Sequence, residues 1–156
     1  MTKIIFGSNE GNAKSVAEYI GAKLGASVIN AADLRSEDLA ADGLIFVAST
    51  HKGGTLQADM RAKLDLIADS NLNGKKVALV GLGGLGKHAD AFCDGLAELL
   101  PALDGAQIVG EWGADGYPFT ASKAFKDGKF VGLTLDLKFD PEWQKRTDKW
   151  LEILSL

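Results

Sequence analysis

Ser8-Asn9-Glu10-Gly11-Asn12-Ala13 is the stretch whose residue types and spacing best suit chemistry, and that chemistry is anion binding. A short apolar run, Ile4 to Phe6, ends abruptly in this small, polar loop. Ala13, Val16, Ala17, Ile20 and Leu24 then recur at helical spacing, so a helix starts near Asn12. A strand, a small-residue loop and a helix start together aim free backbone N–H groups at one point. Ser8 and Asn9 add side-chain donors, and Gly11 lets the backbone approach a ligand closely. The same residues also suit a plain turn with Ser8 or Asn12 as the helix N-cap. Two later loops hold further candidates: Thr50-His51-Lys52-Gly53-Gly54, and Gly81-Leu82-Gly83-Gly84-Leu85-Gly86 with His88 just beyond. The second spells G-x-G-x-x-G, a short and frequent dinucleotide signal. Its expected acidic partner should end the next strand, but Asp104 precedes that strand and Glu111 comes late, so NAD(P) is a minor alternative. No nucleophile–base pair or metal-ligand cluster stands out, so turnover of a substrate by protein groups is not indicated.

The elements that must position these loops alternate along the chain. Strands are expected at Ile4–Phe6, Ser27–Asn30, Gly43–Ala48, Lys75–Val80 and Ala106–Gly110. Ser49 to Thr55 reads as a loop. Helices are expected from Asn12 to Gly25, through Leu56, Met60, Leu64 and Ile67, through Phe92 to Leu103, and from Glu142 to Leu154. The last should bury Trp143, Trp150, Leu151 and Leu154. Alternation of this kind implies right-handed βαβ units in a three-layer α/β fold, a doubly wound five-stranded parallel sheet of order 2-1-3-4-5. In that order the loops after strands 1, 3 and 4 meet at the carboxyl edge of the sheet. Trp112 to Lys129 breaks the rhythm before a second apolar segment, Phe130 to Leu135, as an insertion splitting the fifth strand would.

The 156 residues suit one domain, 1–156, with 46% hydrophobic and 24% charged content, ordinary for a soluble globular chain. No apolar run has membrane-spanning length, and no basic-then-apolar leader opens the sequence, so the cytoplasm is the expected location. A net charge of −4 without a basic stripe argues against nucleic acid. Cys93, the single cysteine, excludes an internal disulfide and reads as a small buried residue in the helix after the third loop.

On four stretches, in the right order, the chain resembles a long-chain flavodoxin over essentially its full length. Ile4 to Ile20 is similar to the family's phosphate loop, and Thr50-His-Lys-Gly-Gly-Thr-Leu-Gln-Ala-Asp59 to its second loop. Gly81-Leu-Gly83 with Ala91-Phe-Cys-Asp-Gly95 is similar to its third. Asp115-Gly-Tyr-Pro-Phe and the segment from Ser122 resemble the long-chain insertion and the strand after it. The resemblance implies an electron carrier, not an enzyme, that holds FMN non-covalently. It would pass single electrons from a flavodoxin reductase, NAD(P)H-dependent or of oxidoreductase type, to an acceptor enzyme, as a monomer without nucleic-acid or membrane partners. It places the phosphate on Ser8, Asn9, Glu10, Gly11, Asn12 and Ala13, and the ribityl chain near Thr50. The ring would lie between His51 and His88. The Lys52-Gly53-Gly54 backbone would answer reduced flavin N5, and Gly81, Leu82, Gly83 and Gly84 would border the ring.

The sequence departs from the family at this site. Glu10 and Ala13 stand where hydroxyl residues are usual, His51 and His88 where Trp and Tyr are usual, and Gly84-Leu85 where Asp and Gln are usual. Glu10 brings a carboxylate near a dianionic phosphate, with Lys14 in reach to offset it. Fewer acidic neighbours than is typical imply a hydroquinone couple less negative than is common in the family, and the histidines imply a potential that varies with pH. The alternative expectation is a flavodoxin-fold binding or regulatory module that no longer binds FMN.

Overall fold

The computed structural model describes residues 1–51 and 53–156. Its parallel sheet is built from β1 (Thr2–Gly7), β2 (Ser27–Asn30), β3 (Gly43–His51), and further strands described below. Ile4 and Ile5 point to opposite faces of β1, yet both are fully buried, and the same holds for Ile45 and Phe46 of β3. A strand covered on both faces must be apolar at every position, which is why these runs do not alternate. One face carries α1 (Asn12–Leu24), whose Val16 and Ile20 pack on Ile4, Ile45 and Val47. Leu24, expected on that apolar face, is exposed. Gly21 takes the buried position instead, because a Cβ there would come 2.6 Å from Val28 Cγ2.

The second loop is more ordered than the sequence suggests. β3 runs on to His51, turns, and returns as the short antiparallel β4 (Thr55–Leu56), which pairs Thr50 with Leu56 and His51 with Thr55. The helix expected through Leu56, Met60, Leu64 and Ile67 is therefore absent as one element. Leu56 belongs to β4, and the rest divides into α2 (Ala58–Arg61) and α3 (Leu64–Asp69). The start of α2 is set by Gln57, whose buried Oε1 accepts from the Met60 N–H at 2.9 Å. The break falls at Lys63, whose ammonium reaches back to the Leu34 carbonyl at 3.3 Å.

β5 (Lys76–Leu82) follows, and the helix expected from Phe92 to Leu103 is also shorter than its apolar pattern. Cys93 sits in a left-handed turn at φ 57, ahead of α4 (Gly95–Leu99) rather than inside it. A 3-10 turn, Leu100–Leu103, completes the segment, with Pro101 at its start. The main strand order is β2-β1-β3-β5-β6, where β6 is Gln107–Val109. The fifth strand is indeed split. β6 pairs with Lys76–Ala78 of β5, whereas β9 (Leu133–Leu135) pairs with Val80–Leu82, both in parallel. Between them the insertion forms a small hairpin, β7 (Phe125–Lys126) with β8 (Lys129–Phe130). Phe92, Tyr117, Phe119, Phe125 and Phe130 pack there as one aromatic cluster. α5 (Trp143–Ile153) covers the α1 face. It buries Trp150, Arg146 and Thr147, while Trp143, Leu151 and Leu154 are only half-buried. Trp143 rests edge-on against Tyr19, with centroids 5.4 Å apart.

Candidate functional site

The sheet order reverses between β1 and β3, so the loops leaving their carboxyl ends diverge to opposite faces and leave a crevice. A cleft of about 230 Å³ lies there, lined by Ser8, Asn9, Glu10 and Asn12, by Ser49, Thr50 and His51, and by Leu82 and Gly83. Three loops far apart in sequence thus meet at one place.

The first loop is folded by its own side chain. Ser8 Oγ accepts the Gly11 N–H at 2.9 Å, and Gly11 takes φ 91, a conformation that strains any residue with a Cβ. Neither Ser8 nor Asn12 is the N-cap of α1. That position is Gly11, and no side chain among the described residues caps the helix. The first-turn N–H groups, with the positive end of the helix dipole, are left to solvent or to a ligand. Asn9 is held in place from the second loop, since the Gln57 amide donates to its Oδ1 at 2.9 Å. Ala13 is fully buried against the sheet, so only its backbone faces the loop. Glu10 is exposed at the cleft and has no ion pair among the described residues. Lys14 lies 3.8 Å from Glu18, one turn further on, and pairs with it rather than with Glu10.

Thr50 and His51 enter from the end of β3. Thr50 Oγ1 accepts the Gly95 N–H at 3.0 Å, which leaves its own O–H hydrogen to donate. His51 is half-buried at the cleft wall, and its Nε2 is buried without a partner among the described residues. A buried ring nitrogen without a partner costs free energy unless something else satisfies it. Gly53 and Gly54, at φ 81 and 79, form the turn that returns the chain to β4, closed by the Gly54 N–H on the His51 carbonyl at 2.9 Å. Neither lines the cleft, and Lys52 lies outside the described residues.

In the third loop only Leu82 and Gly83 line the cleft. Two of the glycines here, Gly81 and Gly83, serve packing. A Cβ on Gly81 would come 2.8 Å from Leu96, and one on Gly83 would come 2.9 Å from the Cys93 nitrogen. Gly84 and His88 lie outside the lining, and His88 is exposed. The loop is anchored by β9. Gly83 N–H donates to the Leu135 carbonyl at 3.0 Å, and Leu85 N–H to buried Asp136 at 2.8 Å. A dinucleotide reading fails on this geometry, because α4 begins only at Gly95 and no helix N-terminus stands at Gly86.

Sequence reasoning passed over Ser49, Gln57 and Asp136. Ser49 carried a signal, a hydroxyl ending an apolar run. Gln57 and Asp136 carried none, because a buried polar residue is recognised only by its partners.

The residues present fit a phosphate joined to a flat ring. An uncapped helix start would face the phosphate, Thr50 and Asn12 would supply polar contacts, and the His51 side chain forms part of the same cleft. Among the described residues there is no cluster of metal ligands, and no helix is long and apolar enough to cross a membrane.

Comparison with known proteins agrees with this architecture. The Flavodoxin family model matches residues 4–133. A flavodoxin of Helicobacter pylori is 36% identical over 152 residues, covering 96% of this chain and 93% of that one. Flavodoxin 1 of Escherichia coli K12 is 37% identical over 163 residues, covering 99% and 93%. The crystal structure of Fusobacterium nucleatum flavodoxin bound to flavin mononucleotide superposes with a TM-score of 0.91 at 26% identity, covering 97% of this chain and 94% of that one. With the strand order, the split fifth strand and the three converging loops, these matches show that the chain belongs to the flavodoxin family.

Proposed function

We propose that this chain works as a single flavodoxin domain that holds FMN in the cleft and carries single electrons between a reductase and an acceptor enzyme. The observation that supports it most is the meeting, in one cleft, of the uncapped α1 N-terminus, Thr50 and the His51 side chain. The flavin supplies the redox chemistry. The protein's part is binding, orientation and exclusion of water. Backbone N–H groups between Asn9 and Ala13, other than that of Gly11, hold the phosphate, with Ser8 accepting the Gly11 N–H to keep the loop in shape. Thr50 donates to the ribityl chain. His51, at the cleft wall, would lie beside the ring, and the backbone at Gly53 would answer its N5 edge. Leu82, Gly83 and the backbone at Gly84 border the pyrimidine side, and His88, on its exposed loop, flanks the outer face.

Flavodoxins are electron carriers rather than enzymes. The reductase and acceptor would be redox proteins that approach the open edge of the cleft, and the cytoplasm is the location in which such partners would be met. The test is a visible absorption spectrum of the purified protein before and after adding excess FMN and desalting. A retained, perturbed flavin band is the expected result. A colourless protein would favour the second reading, a flavodoxin-fold module without FMN, for which the unpaired Glu10 carboxylate in the cleft is the specific observation.

A further inference from the structure

Among the described residues Glu10 is the one carboxylate that lines the cleft, and it lines it on the side where α1 begins. Its surroundings offer no cation among the described residues. Lys14 is engaged with Glu18 at 3.8 Å. Asp59, from the neighbouring segment, accepts from Gln57 Nε2 at 3.0 Å and adds a second negative charge nearby. His51, from the end of β3, lines the same cleft, and Lys87 and His88 are exposed outside the lining. Lys52, outside the described residues, is the remaining cation of that stretch of sequence.

The neutral donors are partly committed as well. Ser8 Oγ is occupied by the Gly11 N–H and Asn9 Oδ1 by Gln57, and Ala13 has no hydroxyl to give. A phosphate monoester at this position meets backbone N–H dipoles worth about half a positive charge, and opposite them a full carboxylate. The dianion is poorly matched to that balance, since each added negative charge is repelled by Glu10 at short range. The singly protonated monoester fits better. It carries one charge fewer, and its P–OH hydrogen can be donated to the Glu10 carboxylate, a charge-assisted hydrogen bond.

We propose that Glu10 makes this cleft selective for the monoanion of a phosphate monoester, so that FMN is taken up together with a proton. The inference rests on the functional reading above and adds to it a regulation by pH. The second ionisation of such a phosphate lies near 6. Above that value the monoanion fraction falls about tenfold per pH unit, and affinity for FMN should fall with it until residual dianion binding takes over.

The experiment is a fluorescence titration of the flavin-free protein with FMN and with riboflavin, from pH 5.5 to 8, for the wild type and for Glu10→Gln. Riboflavin has no phosphate and reports any pH dependence that arises on the ring side. The expected result is a ratio of FMN to riboflavin affinity that rises about tenfold or more from pH 8 to pH 6. In Glu10→Gln that rise should disappear, with FMN affinity at pH 8 increasing by about tenfold. A wild-type ratio that is flat, or that falls toward acid, overturns the proposal while leaving FMN binding intact, and so does a slope unchanged in Glu10→Gln. If neither flavin binds at any pH, the functional reading fails together with it.

Discussion

The Gln57 carboxamide is fully buried and ties together two loops that the chain reaches separately: its Nε2 donates to Asn9 Oδ1 at 2.9 Å, and its Oε1 accepts the Met60 N–H at 2.9 Å. Gly7 lies directly beneath it, and a Cβ there would collide with Gln57 Oε1. One side chain thus shapes the phosphate side of the cleft and starts α2.

Gln57→Leu keeps the volume and removes these two bonds together with the one from Nε2 to Asp59. It strands the Asn9 oxygen and a buried backbone N–H, and should cost about 2 kcal/mol of stability. Urea denaturation measures that cost. The same variant should weaken FMN binding more than riboflavin binding, because the phosphate loop is the part released. Equal weakening of both would show that Gln57 does not act through that loop.

His51 and His88 should differ. His51 is at the cleft wall, whereas His88 is exposed outside it. His51→Ala should therefore weaken riboflavin binding more than His88→Ala does, as read by fluorescence titration. Equal losses would show that the cleft wall at His51 does not contact the ring.

Arg146 holds the insertion to α5. Its guanidinium lies 3.8 Å from the Tyr117 ring centroid and donates to the carbonyls of Thr134 at 3.0 Å and Gly113 at 3.3 Å. Arg146→Lys keeps the charge but not the planar fork, and Arg146→Met keeps neither. Both should lower stability, by about 1–3 kcal/mol, with Met the worse if the carbonyls dominate. Thermal denaturation of the two variants ranks them.

Cys93 is completely buried, and burial pushes its thiol well above the usual range. It should resist a thiol-reactive disulfide reagent in the folded protein and react promptly in denaturant. Rapid labelling under native conditions would show that the turn at Cys93 opens.

Asp38 is held below its ordinary carboxylate value of 3.8, first by the Lys3 ammonium at 3.0 Å and then by the Arg35 backbone N–H. A depressed folded value means stability that is complete above the unfolded value and is lost as pH falls through the folded one. The loss should be below about 1 kcal/mol, since the pair is partly solvated. Urea midpoints from pH 6 down to pH 2.5 should show a shallower decline in Lys3→Met than in the wild type.

Much of the architecture could be read from the residues alone. Unbroken apolar runs at Ile4–Phe6 and Gly43–Ala48 imply strands covered on both faces, and such strands, alternating with helical patterns, have few ways to pack. The interrupted rhythm after Gly110 marks the split strand for the same reason: local pattern reports burial, and burial is what a layered fold imposes. The same signals misjudged Leu56–Ile67 and Phe92–Leu103 as whole helices, because apolar spacing records which residues are buried and not how the backbone turns between them. There the outcome was decided by contacts distant in sequence, Gln57 on Asn9, Lys63 on Leu34, and Asp94 on the Lys123 N–H at 2.7 Å. The candidate site divides in the same way. Loop positions and residue types were legible, since glycine and polar residues at strand ends mark where a ligand can reach the backbone. That Gly81 is a packing glycine, that Lys14 answers Glu18 rather than Glu10, and that His51 lines the cleft while His88 does not are decided by tertiary structure alone, because side-chain direction follows from what each strand and loop packs against.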